Sequence, residues 1–182
     1  MNAQSQYDPT TIADRLAIQD CIHRNALGND LLDVELWKST YWPDAYEEHA
    51  WYRGNAHVFV EQTAQSLRTE MDTTWHQVGN VLIEVDGDTA KAISYFYAYC
   101  RLVLPDGARS DLFSGGRNVD RFERRSGAWK IARRINKGDW VRFAEGSFPW
   151  GSEAIKGYAP RLGCRDSDDP ARMFLSPNPI SR

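Results

Sequence analysis

The chain is poor in cysteine. Cys21, Cys100 and Cys164 are the only three in 182 residues, widely spaced and outside any Cys-x-x-Cys motif. An odd count without that spacing argues against a disulfide framework and against a zinc site. Histidine is scarce too. His23, His49, His57 and His76 show neither His-x-His nor His-Glu-x-x-His spacing, so no metal is expected, and a metal-using oxygenase would need ligands from distant parts of the chain. Charge of one sign is also lacking: the net charge is −3 and the pI about 5.8, which offers no general attraction to nucleic acid or to anionic membranes. No apolar run approaches the ~18 residues of a membrane span, and no signal peptide opens the chain. Phosphate loops, dinucleotide fingerprints and nucleophile elbows are all missing. These absences lead us to expect a cytoplasmic protein that works without a cofactor.

What is present supports a packed core. Hydrophobic residues make up 42% of the chain and seven are tryptophans, so one domain burying about 70% of its unfolded surface is expected. Asp8-Pro9-Thr10-Thr11 reads as a helix start, and Ile12, Leu16, Cys21, Ile22, Ala26 and Leu27 carry helical spacing down to a stop at Gly28-Asn29. Residues 31–41 give a short second helix, 45–51 a first strand, 52–55 a turn and 56–71 a third helix. Four long strand candidates follow at 73–85, 89–104, 109–124 and 128–143, joined by hairpin-like Asp86-Gly-Asp, Pro105-Asp-Gly and Arg125-Ser-Gly-Ala. Helices first and consecutive antiparallel strands after them define an α+β domain. Gly115-Gly116 suits a bulge that bends its strand, and a bent sheet with helices on one face makes a cone around a pocket. The domain is expected over residues 1–144. Residues 145–182 read as an irregular C-terminal extension that covers the cone mouth or packs on a neighbouring subunit.

The strand 73–85 carries His76. Strict alternation puts Thr74, His76, Val78, Asn80 and Leu82 on one face. A histidine among apolar neighbours becomes a base when a carboxylate orients its ring and stabilises the imidazolium. Asp30, set against local preference at a helix end, is the candidate carboxylate. The bland alternative for His76 is a strand histidine satisfied by a backbone carbonyl. The basic run Arg121, Arg124, Arg125, Lys130, Arg133 and Arg134 reads as a solvated strand face rather than a phosphate site.

Four stretches carry a resemblance to a known family: Ala17-Ile-Gln-Asp-Cys-Ile-His-Arg-Asn-Ala-Leu-Gly-Asn-Asp30, Trp75-His76 with Gly79-Asn80, Gly115-Gly116, and the hairpin Arg121 to Arg134 containing Ser-Gly-Ala-Trp-Lys. Over roughly residues 10–140 the chain resembles the SnoaL-like branch of the nuclear transport factor 2-like superfamily, with γ-hexachlorocyclohexane dehydrochlorinases and bile acid 7α-dehydratases as the nearest likenesses. The resemblance implies a cone-shaped fold, a curved antiparallel sheet with three N-terminal helices enclosing a pocket, and trimers in preference to dimers. It also places Asp30 and His76 where these lyases keep a catalytic dyad. Arg134 falls where dehydrochlorinases place a pocket arginine. Asn25 and Cys100 fall where the bile acid enzymes carry a tyrosine and a second carboxylate, which argues against that same reaction.

The leading expectation is a cofactor-independent lyase, dehydratase or isomerase for a small apolar, cyclic substrate. His76 is the base, Asp30 its partner, and Asn25, Arg134, Tyr46, Tyr99 and Cys100 line the substrate site. Tyr46, Tyr97, Tyr99 and Arg134 are the candidates for the acid. Trp42, Trp51, Tyr97 and Tyr99 fit an apolar ligand, although each singly reads as core. The alternative is a non-catalytic ligand-binding protein, or a structural subunit like the small subunit of ring-hydroxylating dioxygenases, because this fold does not fix a function.

Overall fold

Asp8 starts the first helix by accepting the backbone N–H groups of Thr10 (3.0 Å) and Thr11 (3.2 Å), with Pro9 at the first helical position. In this computed structural model, which describes residues 8–145, 164–167 and 169–175, helix α1 then spans Pro9–Asp30. It does not stop at Gly28. A Cβ on Gly28 would lie 2.8 Å from the backbone of Trp37, so this glycine lets the second helix, α2 (Val34–Ser39), cross at close range. The helix ends two residues later, and Asp30 is its last residue.

The chain next lays down β1 (Tyr41–His49) and β2 (Tyr52–Asn55), so the turn expected at 52–55 is a short strand and the first strand opens four residues earlier than expected. Asn55 caps α3 (Ala56–Glu70) through its side-chain oxygen. Four long strands complete the domain: β3 (Met71–Asp86), β4 (Thr89–Val103), β5 (Arg109–Arg125) and β6 (Ala128–Glu145). Their order is β2-β1-β6-β5-β4-β3. Consecutive strands pair antiparallel from β3 to β6, as the hairpins imply, but β1 pairs parallel with β6, so the curved sheet is mixed rather than antiparallel. The parallel partner lies some ninety residues away in sequence, beyond the reach of any turn signal.

Helices α1 and α3 close the concave side. Ile18, Ile22, Phe59 and Val60 meet Phe122 and Ile131 in one apolar cluster, each 4% exposed or less. Full burial of each such side chain stabilises by about 1.5–3 kcal/mol. The result is the expected α+β cone. The outer sheet face keeps Trp75, Ile93, Tyr95, Tyr97 and Val119 exposed.

Two of the sheet's register shifts bear on the site. Between Gly115 and Gly116 the β5–β6 register slips, and a Cβ on Gly116 would meet the Lys137 carbonyl oxygen at 2.0 Å, so only glycine allows that approach. Between Val78 and Val81 strand β3 gains one residue over β4. This second bulge was not expected and it inverts the alternation. Thr74, His76 and Val78 face inward before it, whereas Val81, Ile83 and Val85 face inward after it. Leu82, expected on the face of His76, is 66% exposed.

Part of the C-terminal extension is described. It holds one helical turn, α4 (Pro170–Leu175), in a stretch read as irregular. This segment packs on the same chain: Arg172 donates to the Leu31 carbonyl (2.8 Å) and to Asp33 Oδ2 (3.1 Å). Residues 146–163 lie outside the described residues. Among the described residues no helix is long and apolar enough to cross a membrane.

Candidate active site

The end of α1 and the middle of β3 bring Asp30 and His76 together. Asp30 Oδ2 accepts the backbone N–H of His76 at 2.8 Å, and Asp30 Oδ1 lies 2.6 Å from His76 Nδ1. An ionised carboxylate can only accept, so Nδ1 carries the proton of this contact, and in the neutral ring the lone pair is left on Nε2. Both contacts come from one carboxylate, which fixes the ring in position and in tautomer. At the C-terminal end of a helix a carboxylate is disfavoured by the macrodipole, and these two N–H donors compensate it. The bland reading of His76 as a ring satisfied by a backbone carbonyl does not hold. The side chains remain 21% and 17% exposed, so the pair is reachable.

His76 stands at the junction of two cavities. One, about 790 Å³, runs into the cone between α1, α3 and the sheet, and Ile22, Trp37, Phe59, Phe96 and Leu112 give it apolar walls. The other, about 770 Å³, lies against the first half of β3 and is lined by Asp30, Tyr99, Cys164 and Arg165. Ala26, Thr74, His76 and Val78 line both.

Arg134 and Asn25 occur together in the inner cavity, inside a buried network. The Arg134 guanidinium makes a paired contact with Asp120 (2.8 Å twice) and donates to Asn25 Oδ1 (2.6 Å) and Tyr41 Oη (3.4 Å). Burial works against this charge, but Asp120 beside it, with Tyr41 and Glu47, outweighs burial and holds the pKa well above the ordinary value. Burial drives the Tyr41 phenol well above its usual range, with Arg134 opposing. Asn25 passes the chain on by donating to Thr40 Oγ1 at 2.8 Å. Arg134 is thus not part of a solvated basic face, and its donors are largely consumed.

The other expected lining residues part company. Cys100 lines the inner cavity as a neutral thiol, its pKa pushed up to about 11 by burial and by the nearby Asp30. Tyr99 lines the outer cavity and donates to Asp111 Oδ1 at 3.0 Å. Tyr46 lines neither. Alternation along β1 turns Ala45 and Glu47 inward, so Tyr46 points out and lies beneath the Arg133 guanidinium, 5.2 Å from ring centroid to Cζ. Trp42 likewise carries Arg125 and Lys130 on its outer surface, and Tyr97 is exposed outside, so neither meets a ligand in the cone.

Three residues escaped sequence reasoning. Glu47 is 0% exposed and lines the inner cavity, as does His49 two residues on. Strand alternation over 45–51 could have paired them, had the inward face been known. Arg165 enters from the extension, donating to the Met71 carbonyl (2.8 Å) and to Thr74 Oγ1 (2.9 Å). Burial pushes its pKa below the ordinary value, and Asp30 and Cys100 oppose that. No motif could have announced it. Among the described residues no cluster of three His, Cys, Asp or Glu side chains could hold a metal ion.

A SnoaL-like domain model matches residues 10–135, and the chain belongs to that family within the nuclear transport factor 2-like superfamily. Among solved structures, a type 2 hexachlorocyclohexane dehydrochlorinase (LinA) superposes with a TM-score of 0.69 at 22% identity, covering 77% of this chain and 96% of its own. A protein from Novosphingobium aromaticivorans DSM 12444 assigned as a scytalone dehydratase gives 0.66 at 20% identity, covering 78% of this chain and 96% of its own. An uncharacterised protein of Mycobacterium tuberculosis is 26% identical over 134 residues, covering 72% of this chain and 90% of the relative. At these identities the structural likenesses establish the fold alone.

Proposed function

We propose that the protein is a cofactor-independent lyase or isomerase for a small, apolar, ring-shaped substrate, with His76 as general base and Asp30 as its orienting carboxylate. The observation that carries this reading is the double grip of Asp30 on His76, which leaves Nε2 without a partner among the described residues while His76 lines a 790 Å³, mostly apolar cavity. A histidine held in this way removes a proton from carbon when the resulting charge spreads into an adjacent carbonyl or ring. The lyase-type neighbours support a reaction of this kind. Asn25 and the thiol of Cys100 contribute wall contacts, and Arg134 holds that wall in shape.

The test is turnover of ring substrates by wild type, His76→Ala and Asp30→Asn, each checked for folding by thermal denaturation. Both variants should remain folded and lose elimination or isomerisation. Full activity in either removes the pair from the mechanism. A second reading, a subunit serving beside a partner, draws support from the exposed outer face of Trp75, Ile93, Tyr95, Tyr97 and Val119. Purification of the chain alone as a single stable oligomer, trimer or dimer, goes against it.

A further inference from the structure

A base accounts for half of an elimination, and the leaving group needs the other half. Strand β1 turns Glu47 and His49 towards the same cavity that His76 lines. Glu47 Oε2 accepts the Tyr41 hydroxyl at 3.0 Å, while Oε1 is buried without a hydrogen-bond partner among the described residues. His49 Nδ1 stands 3.5 Å from that Oε1, and its ring stacks on Phe59 with centroids 5.0 Å apart and planes inclined by 26°. A buried carboxylate with a vacant lone pair beside an imidazole is a second orienting pair, and a shift of a few tenths of an ångström completes its hydrogen bond. Phe59 fixes the plane of the ring, and Nε2 is the nitrogen left over. The His49 side chain is 39% exposed and so remains open to the cavity and to solvent.

We propose that His49 is the general acid of this site and Glu47 its positioning residue, and that the leaving group is therefore an oxygen. The inference rests on the reading of His76 as base. His76 Nε2 takes a proton from the carbon next to a ring carbonyl. The C–H electron pair forms the new C=C bond as the C–O bond on the neighbouring carbon breaks. The departing oxygen takes a proton from His49 Nε2 and leaves as water. One proton enters the protein at His76 and one departs at His49, so total charge is unchanged, and exchange with solvent resets both rings. Hydroxide leaves carbon poorly unless protonated, whereas chloride or a nitrophenolate needs no proton. A second histidine–carboxylate pair is thus of use to an alcohol substrate and idle for a halide.

The experiment compares β-hydroxycyclohexanone with β-(p-nitrophenoxy)cyclohexanone as probes of wild type, His49→Gln, Glu47→Gln and His76→Ala. In His49→Gln, kcat/KM for the hydroxy probe should fall by about 10²-fold or more, the usual contribution of a general acid, with release of nitrophenolate changed less than about threefold. Glu47→Gln keeps its bond to Tyr41 and should show the same split at smaller size, which a merely structural role would not produce. If His49→Gln fails to fold, His49→Asn and the Glu47 variant carry the comparison. Equal losses on both probes, or no loss on the hydroxy probe, overturn the assignment of His49 while leaving His76 untouched. Nitrophenolate release that survives in His76→Ala overturns the base instead, and a wild type that eliminates neither probe overturns both readings.

Discussion

Two clusters of charged side chains border the inner cavity, and they are built to opposite rules. At its mouth, Asp30 and His76 form a pair that is about one-fifth exposed and leaves one ring nitrogen without a partner among the described residues. At its inner wall, Arg134, Asp120, Asn25, Tyr41 and Glu47 are each 6% exposed or less, and Arg134 spends its donors on three neighbours. Spare capacity marks a group that can exchange a proton with a ligand, and saturation marks one that holds the wall. The resemblance placed Arg134 among the substrate contacts; it lines the inner cavity with most of its donors committed to neighbouring side chains. Glu47 is the exception within the saturated cluster, since one of its oxygens accepts no hydrogen bond among the described residues and faces His49 at 3.5 Å.

The sharpest way to break this contrast is at the inner wall. Asp120→Ala strands a buried guanidinium, and stability should fall by about 3–5 kcal/mol in denaturant unfolding. A loss below about 1 kcal/mol would show that the wall is not held this way. The mouth should answer in activity instead. Asp30→Asn should lower kcat by about 10²-fold while the unfolding midpoint moves little, because the pair is partly exposed. Next in size, Arg165→Met removes charged hydrogen bonds to the end of α3 and to Thr74, and should cost about 1.5 kcal/mol. The smallest effect concerns the thiols. Folding raises Cys100 to about 11 and Cys21 to about 12, from 9.0. Between these values the unfolded chain loses thiol protons that the folded chain keeps, so stability is intact below pH ~9 and declines as pH rises towards ~11–12. Cys100→Ala should flatten the first part of that decline, measured by denaturant unfolding at stepped pH.

Much of this arrangement was legible in the sequence, for local reasons. The hairpins of β3 to β6 announce themselves through turn residues, and the register slip at Gly115-Gly116 through glycine, although the extra residue, Asp139, lies on β6 and not on the strand expected to bulge. Asp30 and His76 were picked out by a helix end and a strand, and the structure brings them together. What stayed hidden is non-local. The extra residue in β3 between Val78 and Val81 inverts a face, and only the β4 register reveals it. Gly28 reads as a stop until Trp37 is seen against it. Tyr46 and Glu47 exchange roles because the inward face of β1 is set by β6, whose Arg133 and Arg134 pair with them. Arg165 reaches β3 from ninety residues downstream, guided by geometry rather than by any pattern.

The parallel pairing of β1 with β6 also sets a schedule for synthesis. Asn25, Tyr41 and Glu47 emerge early, and Arg134, which donates to Asn25 and Tyr41 and pairs in register with Glu47, follows on the order of 10 s later at ordinary elongation rates. Until β6 leaves the ribosome, Glu47 lacks the neighbouring Arg134 strand, and the inner wall cannot close over it. The hairpins β3–β4 and β4–β5 need no such wait and can form as they appear. The cavity is therefore the last part of the domain to be made, finished only when the final strand slides in beside the first.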